Sequence, residues 1–387
     1  MSPATKTFFS SRWVTPPDGV EELDPGQLAP GFRAAGVACG LKGDGATDVG
    51  VLVCDEDVRS ALALTRNAAA AAPIRVCRED CTGESIRAVA VNSGNANAAT
   101  GEQGYRDALA MRDCAAEALG IEPRRVAVAE TGTIGVPLDI EAVTTGVLEA
   151  VQGLSPEGGD QFGRSILTTD AGPKRCTVRV GGVTVSAQAK GAGMIEPGFA
   201  TMLCFVQTDA EVSDPDAILG AALADSMERI TVDGQMSTND TVLLQASGHS
   251  REPLPDGLID AVMLQLALEI VADGEGATRV ARAQVNGAAS EDEADRVARA
   301  IANSPLVKTA LYGRDSNWGR IAQSAGMALA GEEVPELGPD RIQASELAGE
   351  GAEAALSINL GRGSASAHVY FSDLTHDYIR INAEYTT

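Results

Sequence analysis

The stretch Lys190-Gly-Ala-Gly-Met-Ile-Glu-Pro-Gly-Phe-Ala-Thr201-Met-Leu-Cys-Phe-Val206 carries the residue types for a reaction that a chain performs on itself. Residues 191 to 198 hold three glycines and a proline, which suit a bent, close-packed connection better than a helix or a ladder-paired strand. From Thr201 the pattern changes to Met-Leu-Cys-Phe-Val, the short apolar run of a strand buried on both faces. The bond Ala200-Thr201 thus lies where a bent loop feeds a rigid strand. A hydroxyl held there can receive its own preceding carbonyl on Oγ, the geometry of an N-to-O acyl shift. Hydrolysis of that ester makes Thr201 a chain terminus. Its α-amine, with an ordinary pKa of ~8, is then a base for its own hydroxyl, the N-terminal-threonine form of activated nucleophile. By spacing alone, the same residues also describe a plain glycine-rich turn before a core strand.

Other chemistries have less support. The histidines are His249, His368 and His376, and none sits near a Gly-x-Ser-x-Gly elbow, so a Ser-His-Asp triad has no obvious base. The seven cysteines (39, 54, 77, 81, 114, 176 and 204) are odd in number and scattered. Cys77 and Cys81 are the one close pair and have no histidine nearby, which predicts reduced thiols and neither a metal site nor a disulfide framework. A net charge of −24 argues against nucleic acid or an anionic membrane as partner, because phosphate binding needs clustered Lys and Arg. Hydrophobic content of 44% with 4% aromatic residues predicts a globular chain whose core is built from alanine, valine, leucine and glycine. The first residues lack the apolar stretch of a signal peptide and no run of ~18 apolar residues occurs, so a cytoplasmic protein is expected.

The elements that must position Thr201 follow from periodicity. Residues 1 to 30 read as an irregular arm rich in proline, glycine and acidic residues. Val51 to Cys54, Ala88 to Val91 and Val126 to Ala129 read as strands; Tyr105, Ala108, Met111, Ala115 and Leu119 mark an amphipathic helix ending at Gly120. A helix is expected over roughly 139 to 153, followed by another that leads to Leu167-Thr-Thr-Asp170. A hairpin through Gly181-Gly182 then leads into Lys190. Beyond the central strand, Ser213-Asp214-Pro215 starts a helix, Asp256 is expected to cap an apolar helix reaching Ala272, and Ser290 with Glu293 forms a capping box. The last strands alternate cleanly around Gly361-Arg-Gly363. The class expected is α/β, with layered sheets flanked by helices. Thr131-Gly132 in Glu130-Thr-Gly-Thr is a turn of small residues whose N–H groups and hydroxyl suit an oxyanion.

Several segments together resemble one family. Lys190-Gly-Ala-Gly-Met-Ile-Glu-Pro with Ala200-Thr-Met-Leu, Ser93-Gly-Asn-Ala-Asn-Ala, Asp233-Gly-Gln-Met-Ser-Thr-Asn-Asp240, Asp273-Gly-Glu275, Gly313-Arg-Asp-Ser-Asn-Trp-Gly-Arg320 and the terminal Asn382-Ala-Glu-Tyr-Thr-Thr387 are similar to the self-cleaving ornithine acetyltransferase (glutamate N-acetyltransferase) family of arginine biosynthesis. The resemblance runs from about residue 60 to the end. It implies cleavage between Ala200 and Thr201 into an α chain, 1–200, and a β chain, 201–387, with a smaller C-terminal α/β domain from about residue 286. It implies an acetyl group moved from N2-acetylornithine to glutamate through acetyl-Thr201, with Thr131 and Gly132 as the oxyanion hole. Thr168, Lys190, Glu275, Asn382 and Thr387 are implied to bind substrate, Glu275 at the ornithine α-amine. No cofactor is implied, though acetyl-CoA is conceivable as a further donor. The two chains are expected to stay together in a heterotetramer or higher oligomer. Glu130, Ser316 and Phe199 depart from the family pattern. The same nucleophile with water as acceptor, in an amidase or aminopeptidase, and an uncleaved binding homologue are the alternatives.

Overall fold

The computed structural model describes residues 7–43, 45–196 and 202–384. Ala200, Thr201 and Thr387 lie outside the described residues. In chain order the first part contains β1 (Glu21–Glu22), β2 (Phe32–Val37), β3 (Val49–Cys54), β4 (Arg59–Leu64), α1 (Ala72–Asp80), β5 (Ala88–Asn95), α2 (Gly101–Leu119), β6 (Val126–Thr133), α3 (Ile140–Gln152), α4 (Gly159–Ser165), β7 (Lys174–Val180) and β8 (Val183–Lys190). The second part contains β9 (Leu203–Thr208), α5 (Pro215–Ala224), β10 (Ile230–Thr231), β11 (Thr241–Ala246), α6 (Leu258–Ala272), β12 (Val280–Ala288), α7 (Glu291–Ala302), α8 (Pro305–Tyr312), α9 (Trp318–Ala328), β13 (Ile342–Gln343), β14 (Glu353–Asn359), β15 (Ala365–Ser372) and α10 (His376–Glu384).

These elements stack in layers. A four-stranded sheet, β2-β3-β5-β6, carries α1, α2 and α3 and shares a core with α4. On its other side lies a six-stranded sheet, β1-β7-β8-β9-β11-β4; Phe162 of α4 meets Phe205 of β9 with ring centroids 5.3 Å apart. Next come α5 and α6, then a five-stranded sheet, β10-β15-β12-β14-β13, backed by α7 and α9. The chain is α/β with layered sheets, as the patterns led one to expect. The physical cause is visible in α6, whose sequence Leu-Ile-Asp-Ala-Val-Met-Leu-Gln-Leu-Ala-Leu-Glu-Ile-Val-Ala is apolar nearly all round. Such a helix must be covered on more than one side, and α6 contacts β7 and β8 of one sheet and β12 and β15 of the next.

The six-stranded sheet joins both sides of the Ala200-Thr201 junction. β8 pairs antiparallel with β9 (Lys190↔Leu203), β9 pairs parallel with β11 (Leu203↔Thr241), and β11 pairs antiparallel with β4. All six residues of β9 are buried, as the apolar run predicted.

One local expectation is corrected. Asp256 does not cap α6: Gly257, at φ 73°, precedes the helix and no side chain caps it. The two C-terminal strands on either side of Gly361-Arg-Gly363 do not pair with each other; β12 lies between them, parallel to β14 and antiparallel to β15. Alternation reports which face is buried, and both arrangements bury the same face. The capping box of α7 reaches one residue further back than the motif: Ser290 Oγ accepts the Glu293 N–H at 3.2 Å, and Glu293 Oε1 accepts the Ala289 N–H at 2.9 Å. Among the described residues no helix is long and apolar enough to cross a membrane.

Candidate active site

Strand ends deliver the site. Parallel β5 and β6 run in register until Gly94, where the pairing shifts. At that irregularity Gly132 takes φ 134°, and a Cβ there would fall 2.3 Å from the Gly94 carbonyl carbon. Only glycine fits this approach, which brings the Thr131-Gly132 backbone to the rim of a cavity. Asn239 holds the turn from behind, its Nδ2 donating to Ala96 O at 2.6 Å and Glu130 O at 2.9 Å. Glu130, on the opposite side of β6, is fully buried. Its Oε1 accepts Asn97 Nδ2 at 3.0 Å, and its Oε2 has no hydrogen-bond partner. Burial pushes its carboxyl up to about 8, so at neutral pH this departure from the family pattern adds little charge beside Thr131.

Lys190 closes β8 with 1% of its surface exposed. Burial pulls its ammonium pKa down, opposed by Asp170, whose Oδ2 lies 3.9 Å from Nζ. Asp170 is a hub. Its Oδ1 accepts Lys174 Nζ at 2.6 Å and the Gly191 N–H at 2.7 Å, and its Oδ2 accepts the Thr168 N–H at 3.1 Å. Burial alone would raise its pKa, but the ammonium groups of Lys190 and Lys174 and these hydrogen bonds hold it well below the usual carboxylate range. Lys174 Nζ also donates to Asp273 Oδ2 at 2.6 Å, which ties the start of β7 to the loop after α6.

That loop presents Glu275. Thr169 Oγ1 donates to its Oε1 at 2.8 Å and Asn382 Nδ2, from α10, to its Oε2 at 2.7 Å. The carboxylate is thereby fixed from two elements, with its remaining acceptor capacity free for a ligand. Gly193 permits this placement, since a Cβ there would lie 2.6 Å from Glu275 Oε1.

The chain on both sides of the Ala200-Thr201 junction is anchored by hydrogen bonds. Upstream, Asp233 accepts the Met194 N–H at 2.7 Å and the Ile195 N–H at 2.9 Å, and Val232 N donates to Ile195 O at 2.9 Å. Asn303 Nδ2 donates to Glu196 Oε2 at 3.0 Å. Downstream, Asp240 Oδ1 accepts the Met202 N–H at 3.0 Å, and Thr241 N donates to Met202 O at 3.1 Å.

Thr131, Gly132, Thr168, Lys190, Glu275 and Asn382 all line one cavity of about 320 Å³, with Thr169, Gly193, Met194, Asp233, Gln235, Met236 and Tyr378. Every sequence-derived site residue within the described chain is therefore in one place. Thr201 and Thr387, and the cleavage partner Ala200, lie outside the described residues. The wall offers a buried cation at Lys190, an anchored carboxylate at Glu275 and a small-residue turn at Thr131-Gly132. This combination suits a zwitterionic amino-acid derivative with an acyl group near the turn. Sequence reasoning missed Asp170, Lys174, Asp273, Thr169, Asp233 and Tyr378. Asp170, Asp233 and Asp273 each had a signal, since they stand in the Leu-Thr-Thr-Asp, Asp-Gly-Gln-Met and Asp-Gly-Glu segments that were read for other residues; Lys174 looks in sequence like a solvated charge. Among the described residues no group of His, Cys, Asp and Glu could hold a metal ion.

Residues 33–387 match the ArgJ family. The chain is 40% identical to the arginine biosynthesis bifunctional protein ArgJ of Synechococcus sp., over 95% of this chain and 99% of that protein. It is 42% identical to the protein of the same name from Symbiobacterium thermophilum, over 95% and 100%, and 43% identical to that of Thermus thermophilus, over 93% and 99%. Among solved structures it is similar to arginine biosynthesis bifunctional protein ArgJ from Bacillus halodurans, at 38% identity and TM-score 0.42, covering 48% of this chain and 98% of that one. It is also similar to ornithine acetyltransferase from Mycobacterium tuberculosis in complex with ornithine, at 34% identity and TM-score 0.42, covering 48% and 100%.

Proposed function

Since this chain belongs to the ArgJ family, we propose that it cleaves itself between Ala200 and Thr201 and then moves an acetyl group from N2-acetylornithine to glutamate through an acetyl-Thr201 intermediate. The observation that carries the reading is the convergence of Thr131, Gly132, Thr168, Lys190, Glu275 and Asn382 on one cavity, beside the anchored segments that flank the junction.

In this reading Thr201 Oγ attacks the acetyl carbonyl while its α-amine takes the hydroxyl proton. Thr131 and Gly132 stabilise the tetrahedral oxyanion, a contribution of ~3 kcal/mol per donor. As the C–N bond breaks, the proton passes to the departing ornithine α-amine, which Glu275 receives. Lys190 pairs with a substrate carboxylate or, by like-charge repulsion, keeps the Thr201 amine neutral. Glutamate then takes the acetyl group from Oγ. Thr168, Asn382 and Thr387 position substrate, and no cofactor takes part in transfer between amino acids. Acetyl-CoA as a second donor belongs to the same proposal, as do a cytoplasmic location and assembly of α and β chains into a heterotetramer or higher oligomer. The interleaving of strands from before and after residue 200 in one six-stranded sheet supports lasting association of the two chains.

Intact masses under denaturing conditions test the nucleophile. Two fragments of nearly equal size in the wild type and one full-length chain in Thr201→Ala are expected. A full-length wild type refutes the proposal. Product analysis with and without glutamate then separates acetyl transfer from hydrolysis.

A further inference from the structure

The reaction above gives no role to Cys77 and Cys81, and the edge of β6 supplies one. β6 ends the four-stranded sheet, so one side of its backbone has no neighbouring strand. Arg125 O, just before β6, accepts the Arg87 N–H at 2.7 Å and so faces β5. By alternation along the strand, the carbonyls of Val126, Val128 and Glu130 face away from the sheet. Side chains complete all three. Cys81 Sγ donates to Val126 O at 3.2 Å, Cys77 Sγ to Val128 O at 3.3 Å, and Asn239 Nδ2 to Glu130 O at 2.9 Å. Thr131 and Gly132 come next. The two thiol protons therefore help to hold the strand that delivers the turn.

The two thiols are also placed to react with each other. Cys77 lies in α1 and Cys81 is the residue that ends it. Four residues of helical rise put their Cα atoms ~6 Å apart, within the roughly 4.4–6.8 Å that a disulfide spans. Their surroundings differ. Cys77 is buried and Cys81 is partly exposed. A hydrogen bond from Cys77 pulls the Cys81 thiol pKa down, helped by the guanidinium groups of Arg112 and Arg124 and opposed by burial and Asp80. Arg112, from α2, engages Asp113 Oδ1 through Nε and Nη2, each at 2.8 Å. Its buried Nη1 lies 3.8 Å from Asp80 Oδ2 with no hydrogen-bond partner. The other partly exposed thiols are less reactive: burial, with Asp48, pushes Cys39 up to about 12, and burial, with Glu117, raises Cys114.

We propose that Cys77 and Cys81 are a modification site for hydroperoxides: Cys81 is oxidised, Cys77 closes a disulfide with it, and loss of both S–H donors from the edge of β6 slows acetyl transfer. The thiol chemistry stands apart from the acetyl-transfer reading, and only the effect on rate rests on it. The step balances. The Cys81 thiolate attacks one oxygen of hydrogen peroxide, the O–O bond breaks, and the hydroxide that leaves becomes water by taking a proton. Cys81 is then a sulfenic acid. The Cys77 sulfur displaces its hydroxyl, which departs as water with the Cys77 proton. Two thiols have lost two hydrogens and one peroxide has become two waters. The disulfide has no S–H, so Val126 O and Val128 O lose their donors.

The test treats the folded wild-type chain with hydrogen peroxide, alkylates the remaining thiols under denaturing conditions and digests with trypsin. Cleavage after Arg78 separates Cys77, in Val76–Arg78, from Cys81, in Glu79–Arg87. The disulfide is then read as these two peptides joined, with two alkylations lost. This product should form before Cys39 or Cys114 reacts. Transfer from N2-acetylornithine to glutamate should fall ~10-fold or more as the turn is displaced, and dithiothreitol should restore it. Cys81→Ser keeps a hydroxyl donor for Val126 O; its Cys77 should stay alkylatable and its transfer activity should resist peroxide. Cys77→Ser should instead hold Cys81 as a sulfenic acid that dimedone traps. The proposal is overturned if Cys77 and Cys81 both remain alkylatable after Cys114 is oxidised, if the joined peptides form with transfer undiminished, or if peroxide inhibits Cys81→Ser as strongly as the wild type. Should neither serine variant fold, the wild-type peptides and the recovery on reduction still decide. A reduced wild type without transfer activity defeats the acetyl-transfer reading, and the joined peptides then decide the modification site by themselves.

Discussion

Replacing Glu130 by glutamine removes the carboxyl that burial pushes up to about 8 from an ordinary 4.5. The folded chain keeps this proton at pH values where the unfolded chain has released it. The contribution is therefore fully present below the ordinary pKa and is lost as pH rises toward 8. The slope is ~1.4 kcal/mol per pH unit for one group, so the span amounts to about 5 kcal/mol. That is a large share of the 5–15 kcal/mol typical of a folded domain. Glutamine keeps an oxygen for Asn97 Nδ2 and cannot ionise, so the variant lacks this slope. Urea unfolding of wild type and Glu130→Gln at pH 5 and pH 9 is the assay, read as the difference between the two proteins so that titrations common to both cancel. The stabilities should lie close together at pH 5, and the variant should be the more stable by several kcal/mol at pH 9. Parallel curves, with a difference that changes by less than ~1 kcal/mol across that range, would refute the claim that Glu130 is held neutral in the fold.

Two further outcomes follow from geometry at the cavity. Gly193→Ala puts a methyl group 2.6 Å from Glu275 Oε1; the carboxylate must shift, and kcat/KM for N2-acetylornithine should fall ~10²-fold with the melting temperature little changed, whereas retained activity would show that Glu275 does not depend on this approach. Asp170→Asn leaves Lys174 and Lys190 buried beside a neutral group, which should cost about 3–5 kcal/mol in denaturant unfolding, and a loss under ~1 kcal/mol would mean that Asp273 alone sustains Lys174.

Much of this protein was legible in the sequence because local chemistry dictated it. The all-buried β9 follows from Leu203-Cys-Phe-Val206. Gly120 ends α2 in a left-handed conformation as a glycine there should. Asp214, before a proline in the first turn, caps α5 by accepting the Ala217 N–H. The candidate site was legible as motifs, since Thr131, Gly132, Thr168, Lys190, Glu275 and Asn382 could each be named before the cavity that joins them was seen. Asp256 was misread because a capping side chain needs backbone geometry that its residue type does not guarantee, and Gly257 at φ 73° supplies another route into α6.

The placement of β12 between β14 and β15 could not be read from alternation, which records only which face is buried. Nor could the charge logic of the cavity. Lys174, Asp170 and Asp273 are ordinary polar residues in the sequence, and they become a buried network because α6 and the six-stranded sheet bring residues 170 and 273 to one ammonium group. The neutrality of Glu130 is likewise a consequence of desolvation. Sequence determines which groups the chain carries and the local shapes that it prefers; the pKa of a buried group depends on the charges and dipoles that distant segments place around it, and only the tertiary fold sets those distances.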